Sequence, residues 1–261
     1  MLLRAVGYEG VLCVTQLDDT VYVVRRSSSR FSTIARFNTT THQRLTDIDL
    51  NSRAPSDIAA CARTSRLCVA DRDGRVWLVS PDGADIQRWL MKSRSDAFTR
   101  RTLSVTSSRL LVTSRGDSQL IQFDTAGGDE LRRVRLPDYM EPVHAVESPT
   151  GTFVVAHRNT QLQQDQVSEV NAEGRVLRQF SGSLGWPVHI AVDSQGHILV
   201  ADSESRRILL LDAQLLDARR VVIDLHQLND QRPLRLCYVE QSGQLLVRLG
   251  DSVAVFDVLQ R

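Results

Sequence analysis

The chain has 261 residues, 42% of them hydrophobic, with 32 basic and 31 acidic side chains for a formal charge of +1. This length and apolar content suffice for a large core, and the balanced charge excludes a uniformly basic nucleic-acid binder while leaving room for a basic patch. No run of 18 apolar residues occurs, and the start, Met1 to Gly7, lacks an apolar signal-peptide core. A cytoplasmic protein is expected. Cys13, Cys61, Cys68 and Cys237 show no CxxC spacing and lie in apolar runs, which fits buried free thiols in a reducing compartment. The sequon Asn38-Thr39-Thr40 is a weak sign to the contrary. All basic residues but Lys92 are arginine. Genomic base composition explains this skew, and so does selection for planar contacts to phosphate or carboxylate.

In chain order, the first predicted element is a short strand, Leu2 to Val6. Six apolar, β-branched runs then recur every 43 to 47 residues, starting at Thr20, Arg66, Arg109, Thr152, His197 and Gln244. That period is the length of a four-stranded propeller blade, and the runs are too short for helices. Each unit divides into strands a to d. The second unit reads Pro55 to Cys61, Arg66 to Ala70, the turn Asp71-Arg72-Asp73-Gly74, Arg75 to Val79, and Ile86 to Leu90; the Asp-Gly pair is a hairpin signal. Its Asp71-x-Asp73-Gly74 opening resembles a calcium loop but lacks the later ligands, so a plain turn is expected. The third and fourth units start near Thr102 and Pro142. The fifth runs Pro187 to Asp193, His197 to Ala201, Arg207 to Asp212 and Ala218 to Ile223. The sixth starts near Pro233 and ends at Val258 without a strand d. Arginines in strands d, such as Arg132, Arg133 and Arg178, supply edge charge that resists edge-to-edge pairing.

The expected fold is therefore all-β: a six-bladed β-propeller of four-stranded antiparallel blades, closed by the N-terminal strand completing the last blade. Blades are placed near 10–50, 55–91, 102–136, 142–181, 187–223 and 233–258 with 2–6, so that 1–261 forms a single domain.

The stretch Pro187 to Asp212, above all Val200-Ala201-Asp202-Ser203-Glu204-Ser205-Arg206-Arg207-Ile208, resembles an NHL repeat, the blade type of TRIM-NHL proteins. Ser205-Arg206 stands where the motif has Asn-His. Val69-Ala70-Asp71 with Arg75-Val76 is a shortened second match. The resemblance implies a propeller domain, with no RING, B-box or coiled-coil segment in this sequence.

G-x-S-x-G, H-E-x-x-H and Walker A sequences are missing, so no catalytic residues and no cofactor are assigned. Two residues after each unit-opening position stand Leu12, Asp57, Thr102, His144, His189 and Arg235, where strand a lines the channel. His144 and His189 should sit on adjacent blades near the channel mouth. Neutral histidines bonded around channel water are expected. The alternative is a metal-dependent lyase or hydrolase, since related propeller lyases are known for a histidine-ringed zinc; here the third ligand would be Asp57 or Arg235, and a cation opposes a metal.

The d–a and b–c loops share one face, the loop face here. It collects Arg25, Arg26, Arg30, Arg53, Arg72, Lys92, Arg94, Arg100 and Arg101, with Phe31, Phe98, Tyr139, Met140 and Trp186. The opposite face is acidic. Together with His144, His189 and Arg235, these cations and the aromatics Tyr139 and Trp186 form the candidate partner-binding set. Arginine with interleaved aromatics suits a protein or acidic-peptide partner, the leading reading, and equally suits single-stranded RNA. A non-enzymatic, monomeric binding module without membrane contact is expected.

Overall fold

The computed structural model describes residues 2–4, 10–26, 32–50, 54–89, 101–106, 108–180, 182–193, 195–212 and 218–257, the backbone alone at 2–4 and 218–220. In chain order the strands are β1 (Leu2–Arg4); β2 (Val11–Leu17), β3 (Thr20–Arg26), β4 (Ser32–Asn38), β5 (Ile48–Asp49); and β6 (Pro55–Cys61), β7 (Arg66–Asp71), β8 (Val76–Val79), β9 (Ile86–Trp89). There follow β10 (Arg101–Val105), β11 (Arg109–Ser114), β12 (Gln119–Asp124), β13 (Glu130–Arg135); and β14 (Met140–Glu147), β15 (Phe153–Asn159), β16 (Gln164–Val170), β17 (Val176–Gln179). The chain continues with β18 (Pro187–Val192), β19 (Ile198–Asp202), β20 (Arg207–Leu211), β21 (Ala218–Ile223); and β22 (Pro233–Val239), β23 (Gln244–Leu249), β24 (Ser252–Asp257). Five four-stranded antiparallel sheets form in sequence order, and the sixth is ordered β1-β24-β23-β22. The architecture is a six-bladed, all-β propeller. Among the described residues the helical content is one 3₁₀ turn, Ala62–Thr64, and no helix is long and apolar enough to cross a membrane.

The strands sit within one or two residues of their expected places; β10 and β14 start earlier, at Arg101 and Met140. The middle strands b and c are buried on both faces, as in β3 and β11, whereas the outer β13 and β17 are mostly exposed. The core therefore lies between blades. Each apolar cluster joins two neighbours: Val24, Ile34 and Leu50 pack with Ile58 and Leu67 across the first seam, and Leu199, Ala201 and Ile208 pack with Leu236 and Leu245 across the fifth. Between the sixth and first blades Val239, Leu246 and Val253 pack with Val11, Val14 and Val23. Leu2, Leu3 and Arg4 pair with Ala254, Val253 and Ser252. The remainder of the expected N-terminal strand, Ala5 and Val6, lies outside the described residues. The free thiols Cys13, Cys61 and Cys68 are buried and Cys237 half-buried, and burial pushes the Cys68 thiol up to about 12.

Candidate functional site

A recurrent bulge builds the channel. Five of the six inner strands shift register by one residue near their start, between Val11 and Cys13, Pro55 and Asp57, Pro142 and His144, Pro187 and His189, and Pro233 and Arg235. A bulge re-aims the side chain that follows it. The residues in register are Cys13, Asp57, Thr102, His144, His189 and Arg235, opposite Val24, Ala70, Thr113, Ala156, Ala201 and Arg248 on the neighbouring strands. In the first blade the position expected at Leu12 is thus held by Cys13: Leu12 is the bulged residue itself. Cys13 is fully buried, and its thiol is pushed up by that burial and by Asp57.

Asp57, His144, His189 and Arg235 converge. The imidazoles stack with centroids 3.6 Å apart, and at 1% and 7% exposure they are buried rather than at an open mouth. Each accepts a backbone N–H from the next blade: Ile190 donates to His144 Nδ1 and Leu236 to His189 Nδ1, both at 3.4 Å. With Nδ1 accepting, the proton sits on Nε2 in both rings. His144 Nε2 lies 3.3 Å from the Leu103 carbonyl and donates to it. Burial pulls His144 down to about 3, with Arg235 adding to the shift; burial, then His144 and Arg235, hold His189 well below the usual histidine range. Both are neutral at pH 7. Asp57 accepts from the amides of Leu103 (2.8 Å) and Ile58 (2.9 Å), and Arg235 Nη1 is 3.0 Å from its Oδ2. The same ring polarity thus stitches successive inner strands together and supplies chemistry to the channel.

Asp57, His144 and His189 offer ligand atoms within 4.8 Å of one another. All but one of the candidate atoms already have work: both carboxylate oxygens and both Nδ1 atoms accept backbone hydrogens, His144 Nε2 donates to Leu103, and a guanidinium sits against the carboxylate, which leaves His189 Nε2 alone without a protein partner among the described residues. Protein purified without added metal is accordingly expected to carry no stoichiometric zinc when analysed by plasma emission. One zinc per chain, lost in His144→Ala or His189→Ala, would overturn that assignment and revive the lyase alternative.

The loop face differs from the sequence expectation in its cations. Arg25 is 4% exposed, with Nη2 2.7 Å from Asp47 Oδ2. Arg101 is equally buried and donates to the Gly74 carbonyl; a Cβ at Gly74, whose φ is +76°, would sit 3.2 Å from Arg101 Nε. Both guanidiniums are structural links within or between blades and not exposed loop cations. Arg235 belongs to the channel ring. Arg26 is half-buried and Arg72 exposed. Arg30, Arg53, Lys92, Arg94 and Arg100, with Phe31 and Phe98, lie outside the described residues.

The aromatics are placed differently from each other. Tyr139 is half-buried against the cluster of Leu136 and Met140, and its carbonyl accepts from Thr160. Trp186 stands 47% exposed. Its φ of +59° is unusual for a bulky residue, the more so before a proline. Neighbouring blades hold it there: Trp186 N donates to Asp165 Oδ2 (3.2 Å), Ser203 N donates to its carbonyl (3.2 Å), and Gly185 N donates to Asp202 Oδ1 (2.7 Å). Leu162, on the b–c turn of the fourth blade, is also exposed, as is Arg158 at the base of that turn. Leu162 escaped the sequence reading because a single leucine in a polar turn carries no periodic signal.

Residues 184–209 match the family model of the NHL repeat, and they span the two inner strands of the fifth blade and the start of its third. The chain is similar to virginiamycin B lyase from Staphylococcus aureus, at TM-score 0.67 and 10% identity over 100% of this chain and 89% of that one. It is similar to hydrazine synthase from Kuenenia stuttgartiensis, at TM-score 0.63 and 14% identity over 97% of each chain. A protein of unknown function from Bacteroides caccae aligns at TM-score 0.60 and 16% identity over 82% of this chain and 78% of that one. At such identities the likeness is one of fold, which many functions share. No curated protein matches the sequence.

Proposed function

We propose that this NHL-repeat propeller is a non-enzymatic binding module that takes a peptide segment of a partner protein on its loop face. The observation that carries the reading is the Trp186 indole, held outward by a backbone conformation that three hydrogen bonds from neighbouring strands and turns impose. Strained backbone of this kind persists where surrounding structure over-determines it, and it clusters at binding sites. A rigid, exposed aromatic is the common anchor of a protein interface. Leu162 extends the apolar surface, and the exposed Arg158 at the base of the same turn favours acidic side chains flanking the anchored residue. The burial of Arg25 and Arg101 weighs against the RNA alternative, because it removes two cations from the phosphate track which that reading needs.

The test is selection of peptides from a random display library on the immobilised chain, followed by binding to variants. Trp186→Ala is expected to weaken the selected peptides about thirtyfold, the size of a 2 kcal/mol anchor, with stability changed by about 0.5 kcal/mol or less. Asp129→Lys with Glu173→Lys, on exposed turns of the opposite face, should leave binding intact. Equal loss from both faces, or retention of single-stranded RNA with a steep salt dependence and no selected peptide, would contradict the proposal.

A further inference from the structure

Beneath the loop face, the channel forms a cavity of about 290 Å³ that runs from the polar ring toward the a–b turns, where Thr106, Glu147 and Tyr238 line its outer end. That volume is at the lower edge of small-molecule sites, and its lining mixes apolar side chains with polar ones along its length, Thr15, Gln16, Ser104 and Thr106 among them. Val14, Val105, Ile190 and Val192 supply the apolar part of the wall, and the imidazoles, Asp57 and Arg235 lie at the inner end.

Two donors there remain available to a ligand, one without a protein partner and one held by an ion pair alone. His189 carries its proton on Nε2, because Nδ1 accepts from Leu236; no protein partner for Nε2 is found among the described residues, and the residue, 7% exposed, lines the cavity. Arg235 Nη1 is ion-paired with Asp57 at 3.0 Å, yet its hydrogens are not aligned on the carboxylate and make no hydrogen bond. Buried donors left unmade cost free energy that an acceptor recovers. Charge decides what kind of acceptor. Asp57 and Arg235 neutralise each other, both imidazoles are neutral, and Glu147 is neutralised by Arg109 at 2.7 Å. An anion placed at the inner end would meet Asp57, and a cation would meet Arg235, each with no spare countercharge in a desolvated site.

We propose that the channel is a binding site for a small uncharged organic molecule whose carbonyl or amide oxygen accepts from His189 Nε2 and Arg235 Nη1 while its apolar part fills the tube.

The experiment uses the full chain labelled with ¹⁵N and three probes of similar size: 2-pyrrolidinone, acetate and methylammonium. Imidazole ¹⁵N resonances are followed by long-range proton–nitrogen correlation. The lactam is expected to shift His189 Nε2 saturably, and the two ions to bind at least tenfold more weakly. His189→Gln, whose amide keeps an acceptor for Leu236 N–H and a donor for the cavity, should retain lactam binding; His189→Leu should lose it. Trp186→Ala should have no effect, so failure here is separate from failure of the loop-face reading. No saturable lactam shift at the ring nuclei, or tighter binding of either ion, would overturn the proposal whatever the fate of the His189 variants.

Discussion

Lowering the pH from 7 to 5 is expected to cost this protein about 3–5 kcal/mol of folding stability. The source is three buried histidines. Burial pulls His144 down to about 3 and His157 down to about 4, and holds His189 well below the usual range. His157 is spent on Ser168, 2.9 Å from its Nε2 inside the fourth blade. In the unfolded chain all three protonate near pH 6.5. The unfolded state therefore binds more protons than the folded one below that pH, and stability falls as pH falls through the window from about 6.5 toward 4. Asp57 acts in the opposite sense: burial pushes its carboxyl up, so the folded state takes that proton first, which offsets part of the loss. For domains stable by roughly 5–15 kcal/mol, the remainder is enough to bring on unfolding near pH 4–5. Urea unfolding at pH 7, 6 and 5 measures it, and equal stability at pH 7 and 5 would show that these imidazoles are not held neutral.

The second large effect is expected on removing residues 1–7. Leu2 to Arg4 cover the outer edge of β24 through the pairs with Ala254, Val253 and Ser252. Without them that edge is a bare row of backbone donors and acceptors, a template for pairing with another chain. The apolar seam between the sixth and first blades stays, so the truncated chain should still fold. At about 1 kcal/mol net for each lost ladder hydrogen bond, and a few degrees per kcal/mol at this size, the melting temperature should fall by roughly 5–10 °C, with aggregation on heating. An unchanged melting curve and a monodisperse monomer would mean that the N-terminal strand does not complete the blade.

Much of this was legible in the sequence. The 43–47-residue period and the Asp-Gly hairpin place the strands, because period-2 patterning and turn chemistry are local. The proline that opens β6, β18 and β22, and lies within β14, also marks where the inner strand enters the channel, so Asp57, His144, His189 and Arg235 could be aligned by counting. In the first blade Val11 replaces that proline and the bulge is silent, which is why Cys13 rather than Leu12 holds the ring position. The fates of Arg25 and Arg101 were not legible, since their partners at Asp47 and Gly74 are set by packing across 22 and 27 residues. The posture of Trp186 contradicts its local preference before Pro187, and only Asp165 and Ser203, brought in by the ring, account for it.

The loop-face reading makes Trp186 the point of contact, and collisional quenching of tryptophan fluorescence by acrylamide reports on that contact. The chain has three tryptophans. Trp77 is half-buried and donates to Asp71, and Trp89 packs against Phe123 with ring centroids 5.7 Å apart, so the readily quenched emission belongs to Trp186. Saturation with a peptide selected on the chain should blue-shift that emission and strongly reduce its quenching. Quenching that stays the same in the complex would place the partner elsewhere and contradict the account.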